Sequence, residues 1–239
     1  MAVNNTLDIR RFERRLFWSA AILFPLIVAA GFARTYYLKA VFGTPALPSL
    51  MVHLHGIAMS AWVLLFIGQV WLISSKRIRV HQRLGWVGIG LAAVVVVTGA
   101  FVAVAAGRSG SASFPPDIPR LSFMIVPLAD LLVFVLLVGA AVYYRKKPAS
   151  HKRLMLLTAI NFLPPALARI GFLAPFGPLA FFGIPAALAV AAVALDRWRT
   201  GKFNTVFVVA SVLSIATYPL RLIVSTTDAW LRFAAWLTS

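Results

Sequence analysis

Cysteine is absent from the 239 residues, which excludes disulfides, thiolate metal centres and iron–sulfur ligation by this chain. Acids are scarce too: six Asp and Glu stand against 23 Lys and Arg, for a formal net charge of +17. With 61% hydrophobic residues and a mean hydropathy of +0.89, so few charges could not cover the apolar surface in water. No Gly-rich phosphate loop, nucleophile elbow or His-Glu-x-x-His occurs, so no catalytic residue set is assigned.

What is present is a series of apolar stretches, roughly 16–33, 51–74, 84–106, 121–144, 152–174, 178–195 and 203–224. Each is near the ~20 residues that a bilayer-crossing helix needs. They define an all-α integral membrane bundle of seven transmembrane helices, one domain over 1–239. Its four-helix core is 51–174, flanked by helices 16–33, 178–195 and 203–224. The first stretch follows Arg10, Arg11, Arg14 and Arg15 and has no small-residue cleavage site, so it reads as a retained helix. The last stretch carries no lysine for a retinal Schiff base, which argues against a seven-helix photoreceptor.

The basic residues sit in short clusters between apolar runs, as orientation signals do, rather than in a nucleic-acid footprint. One set of loops holds sixteen: Arg10, Arg11, Arg14, Arg15, Lys76, Arg77, Arg79, Arg83, Arg145, Lys146, Lys147, Lys152, Arg153, Arg197, Arg199 and Lys202. The other holds six: Arg34, Lys39, Arg108, Arg120, Arg221 and Arg232. This bias predicts a cytoplasmic N-terminus and a bacterial inner membrane as the setting, with the lipid bilayer as the constant partner. The outer loops at 43–48 and 107–119 are turn-rich. Beyond the last stretch, Thr227 and Asp228 supply a helix start, and Trp230 and Trp236 suit a short outer surface helix over 227–238.

One phrase is written twice, 70 residues apart: Val80, His81, Gln82, Arg83, Leu84 and Ser150, His151, Lys152, Arg153, Leu154. Both histidines open helices that run in the same direction, so the imidazoles lie at similar depth and are placed to face each other. Two histidines from neighbouring helices are what bis-imidazole haem ligation requires, and Arg83 and Arg153 are placed to pair with haem propionates. Interfacial anchoring against anionic head groups explains the same residues.

Polar residues inside apolar stretches are costly and often mark function. His53 and His55 open the second stretch. They share one metal only if the chain stays extended through His55, because helical residues two apart point about 200° apart. His55, Met59, Trp62, Phe66 and Gln69 form one helical face, and Gly56 and Ser60 a small-residue face suited to close packing. Asp130 lies near midplane, with Asn161 and Arg169 as expected partners. Consecutive prolines, Pro164 and Pro165, are expected to kink the fifth helix. His53, His55, Arg169, Tyr218 and Arg221 are together expected to line a wet, positively charged outer cavity.

The sequence His151, Lys152, Arg153, Leu154, Met155, followed by Arg169, resembles a group of uncharacterised bacterial multi-pass proteins with a His-Arg-x-x-Met pattern. His55-Gly56, Gln69 and His81-x-x-Leu-Gly85 fit that pattern too, over roughly 50–172. A weaker likeness is to cytochrome b561-type proteins, whose haem-bearing helices carry similar His-x-x-Leu-Gly phrases. That likeness implies one inner haem between His81 and His151. It lacks the outer pair, since the fourth helix has Asp130 and no histidine. The leading expectation is a b-type haem membrane protein or redox-partner subunit, with a quinone or other redox partner. The alternatives are a non-haem transporter or binder using the outer cavity, and an accessory structural subunit.

Overall fold

The computed structural model describes residues 2–110 and 118–239, so part of the turn-rich 107–119 stretch lies outside the described residues. α1 (Ala2–Phe32) continues through a π-helical turn at Ala33–Tyr37 into the short α2 (Lys39–Phe42). α3 (Leu50–Ser74) opens at Ser49, whose hydroxyl accepts from Val52 N–H, satisfying one of the donors that a helix start leaves free. α4 (Ile78–Ser109) follows after a turn so short that Lys76 takes a left-handed φ of 59°. α5 (Arg120–Phe123) leads into α6 (Ile125–Tyr143). α7 (Pro148–Asn161), α8 (Leu163–Leu167) and α9 (Gly177–Thr200) complete the middle of the chain. α10 (Thr205–Val224) and α11 (Asp228–Thr238) are capped by Asn204 and Thr227, accepting from Phe207 and Trp230 N–H respectively. No strand occurs among the described residues.

Among the described residues, six helices are long and apolar enough to cross a membrane: Arg11–Tyr37, Leu50–Ser74, Ile78–Ser109, Arg120–Lys146, Gly171–Thr200 and Thr205–Val224. The remaining apolar segment, expected at 152–174, is broken. Pro164 and Pro165 offer no N–H to the carbonyls of Ile160 and Asn161, and their rings crowd those carbonyls. The helix therefore stops at Asn161 and restarts at Leu163. Neither piece is long enough to count as a crossing helix alone. Together they form the most enclosed part of the chain, with Leu154, Thr158 and Ala166 fully buried.

The helices close in a ring: α1 packs on α3, α3 on α4, α4 on α6, α6 on α7, and α7–α8 back on α1. α9 and α10 pack against α7–α8 and α6 from outside. One apolar core joins Phe24, Trp62, Phe66, Val95, Phe134, Phe162 and Leu163. A second joins Val133, Leu137, Leu154 and Leu157 to Ala189, Ala192 and Phe207. The expected α3 face is seen in Trp62 and Phe66, both buried, with Trp62 edge-on to Phe134 at 4.9 Å.

Close approaches rest on glycine. Gly31 of α1 lies against the backbone of Ala166, where an added Cβ would overlap the carbonyl oxygen. The small face at Gly56 and Ser60 receives two tyrosines from the π-helical end of the first crossing helix. The Tyr36 ring fills the space beside Gly56, and the Tyr37 hydroxyl lies 3.0 Å from Ser60 Oγ. Ser60 already donates to Gly56 O, so Tyr37 is the donor between them. α11 lies across the ends of α4 and α5, held by Trp230 Nε1–H donating to Leu121 O at 2.8 Å.

Gly31→Ala should therefore destabilise the protein by about 1–3 kcal/mol, the usual cost of forcing extra volume into a packed contact. Gly68→Ala, where an added Cβ meets nothing within 4 Å, should be neutral or slightly stabilising. Thermal unfolding in detergent checks both; equal melting points for the two variants would contradict the packing described.

Candidate functional site

His81 lies in the first turn of α4 and His151 in the first turn of α7. Their rings meet with centroids 6.2 Å apart and planes at 77°. α4 packs on α3 and α6, and α7 on α6 and α1, so the two side chains bring together helices from different parts of the ring. The tight turn at Lys76 folds α3 back along α4 and sets Gln69 opposite His81.

Each imidazole is held at Nδ1. His151 Nδ1 lies 2.9 Å from Ala141 O; a carbonyl only accepts, so Nδ1 carries the hydrogen. His81 Nδ1 lies 2.5 Å from Gln69 Oε1. The Gln69 amide is oriented by its Nε2–H donating to His81 O at 3.4 Å, which turns the amide oxygen toward the ring. With Nδ1 as the donor, a neutral ring at either position has its Nε2 lone pair free. Metal-binding histidines are commonly held in this way, with the far nitrogen donating to an oxygen.

The cations beside the pair are not equivalent. Arg153 is buried and ion-paired with Asp196 of α9, and it donates to Ala149 O at 2.5 Å. Glu13 of α1 lies 2.5 Å from Lys152 and 3.8 Å from Arg153. Arg153, expected beside a cofactor carboxylate, has Asp196 as its acid partner in this structure. Arg83 remains exposed and makes no ion pair among the described residues.

At the other end of the bundle the expected cavity residues go to separate places. His55 Nδ1 lies 3.1 Å from Thr98 Oγ1 of α4. Thr98 donates its own hydrogen to Val94 O at 2.7 Å, so the ring is the donor to Thr98. His53 is exposed, its ring 6.0 Å from that of Tyr36. The extended conformation that would let both bind one metal does not occur, because α3 already begins at Leu50. Ser49 caps the helix too early for the histidines to share a face.

Asp130 pairs with Arg221 of α10 at 2.6 Å, both residues being buried. This corrects the expected partner. Asn161 is nearby as anticipated, but its Nδ2–H donates to the Asp130 backbone carbonyl at 2.9 Å. Arg169 lies beyond the proline break, which removes it from the α7 face pointing at α6. Its guanidinium instead donates to Pro165 O at 2.6 Å and sits 4.6 Å from the Phe32 ring centroid. Arg221 lies over the rings of Phe182 and Tyr218, which stack at 4.9 Å.

The cluster of Glu13, Lys152, Arg153 and Asp196 was not foreseen from sequence. The available signal was the scarcity of acids: each one inside a helix calls for a cation, and Asp196 had none assigned.

No protein-family model, curated protein or solved structure matches this chain. The fold itself gives the class. Six apolar helices make it a multi-pass helical membrane protein, with a histidine pair at one end of the ring and a buried carboxylate–guanidinium pair toward the other.

Removing one member of a buried ion pair strands the other charge, at a cost of roughly 3–5 kcal/mol. Asp130→Ala should lower the unfolding midpoint accordingly, and adding Arg221→Leu should recover part of the loss. Adding Arg169→Leu instead should recover nothing. Rescue by Arg169→Leu but not by Arg221→Leu would refute the assigned pairing.

Proposed function

We propose that this chain is a b-type haem membrane protein or redox-partner subunit, with the haem held between His81 and His151. The observation that carries the reading is the shared setting of the two rings: each has its Nδ1 against an acceptor oxygen, which leaves Nε2 of a neutral imidazole available as a ligand. The two rings lie with centroids 6.2 Å apart, close enough for both to serve one bound group.

The donor set favours haem over a bare ion. Structural and catalytic ions usually take three or four protein ligands, and no group of three or more His, Cys, Asp or Glu suited to a metal occurs among the described residues. Haem supplies most of its iron's ligands itself and would need only two from the protein, which His81 and His151 would provide. When bound it would supply a one-electron centre. The residues of the chain do the rest: Gln69 and the Ala141 carbonyl orient the imidazoles, and Arg83 is available to a propionate. The reading calls for an electron-carrying partner such as a membrane quinone.

The same proposal includes topology. The basic clusters at the His81 end favour a cytoplasmic N-terminus in a bacterial inner membrane, and α7–α8 would be the fifth of seven crossings. Two contacts support this: Arg153 meets Asp196 near one end, and Ala166 meets Gly31 toward the other. Because the chain has no cysteine, single introduced cysteines report unambiguously. Labels at 77, 147 and 200 should be shielded from an external reagent, and labels at 45 and 228 exposed. An exposed 147 would overturn the seven-crossing arrangement.

Protein expressed with added haem precursor should show a Soret band and, once reduced, a sharp low-spin α band. His81→Ala and His151→Ala should each abolish or convert that band, while His53→Ala should leave it. Gln69→Leu, which removes the acceptor that orients His81, should weaken haem retention about 10–100-fold without unfolding the protein. Purified protein that folds but never acquires Soret absorbance would rule the proposal out.

A further inference from the structure

Between α9 and α10 the outer surface carries a groove of about 410 Å³, away from the histidine pair. Its walls are almost wholly apolar, formed by Val190, Val193, Ala194, Val212 and Ile215 among others. Exposed valines such as Val190 and Val212 face the hydrocarbon in a membrane-crossing bundle, so an apolar wall alone says nothing. Two polar features change that. Arg197 lines the groove near the end of α9, with Trp198 and Phe203 beside it, and its guanidinium lies 5.4 Å from the Phe203 ring centroid. Deeper in, Ser211 also lines the groove. Its hydroxyl is buried, the residue being 3% exposed, and has no hydrogen-bond partner among the described residues.

An unpaired hydroxyl in hydrocarbon loses its hydrogen bond to water and gains nothing. It is explained if an acceptor arrives from outside the protein. Ser211 lies six residues into α10 and Arg197 three from the end of α9. At ~1.5 Å per residue the hydroxyl is about one helix turn deeper than the arginine. A cation at the level of the head groups, a hydroxyl donor one turn below and an apolar channel beyond match one molecule. That molecule is a diacyl phospholipid, with its phosphate on Arg197, an ester carbonyl accepting from Ser211 and an acyl chain along the valines. Asp196, the acid next to Arg197 in sequence, is turned inward onto Arg153 and does not neutralise the site.

We propose that this groove is a binding site for one anionic phospholipid. The probes are dioleoyl phosphatidylglycerol and its zwitterionic phosphatidylcholine counterpart, added to the detergent-purified full chain. Retained lipid is counted by native mass spectrometry, and melting points are recorded with and without lipid. The wild type should hold one phosphatidylglycerol in preference to phosphatidylcholine. Arg197→Gln should weaken phosphatidylglycerol about tenfold, the loss of one charge-assisted hydrogen bond, and erase the preference; Arg197→Lys should keep it in part. Arg79→Gln, an exposed arginine of α4, should change neither. Ser211→Ala should weaken both lipids while leaving the lipid-free melting point unchanged, since the hydroxyl has no protein partner to lose. An unaltered preference in Arg197→Gln, a lipid-free destabilisation in Ser211→Ala, or a retained neutral molecule such as a quinone in place of the phospholipid would each overturn the assignment.

Discussion

The polar side chains of α7, set in an apolar bundle, fix the arrangement of the helices around it. Each must find a partner, because nothing else in hydrocarbon will accept or donate a hydrogen bond. Ser150 meets Asn204, the cap of α10. His151 reaches Ala141 on α6, Lys152 reaches Glu13 on α1, and Arg153 reaches Asp196 on α9. Asn161, at the far end, reaches the backbone of α6. Apolar packing alone would tolerate several rotations of this helix; these bonds, leading to four neighbours, select one. The Arg153–Asp196 pair at its start is the buried one, and burial makes it costly to break rather than merely favourable to form.

The break at Phe162 serves the same constraint. It ends the straight helix where Asn161 has just reached α6 and turns the following residues toward α1, where Gly31 admits the backbone of Ala166. The side chains that follow are carried off the α7 face. This is why Arg169 meets Phe32, and why Asp130 is paired by α10 instead.

Much of this was legible in the residues. Lengths of apolar run located the helices, and Thr227 announced α11 by its capping chemistry. The repeated His-x-Arg-Leu phrase placed two imidazoles in equivalent first turns of helices running the same way, and their rings do meet. What was not legible depended on direction and on boundaries. Two prolines foretell a kink but not its angle, so the partner of Asp130 could not be read from spacing. A capping serine at 49 starts α3 early enough to separate His53 from His55. Drawing the sixth segment to 195 stopped one residue short of Asp196, and with it the ion pair that commits Arg153. Gln69 was visible as the polar end of an apolar face, but its partner His81 depended on the turn at Lys76.

Haem binding by the two imidazoles is read directly by the ferric spin state. If His81 and His151 both hold the iron, the oxidised, haem-loaded protein should give a low-spin signal by electron paramagnetic resonance, which His81→Ala or His151→Ala converts to high spin. A high-spin signal from the wild type, or no haem iron signal, would contradict a haem held between His81 and His151.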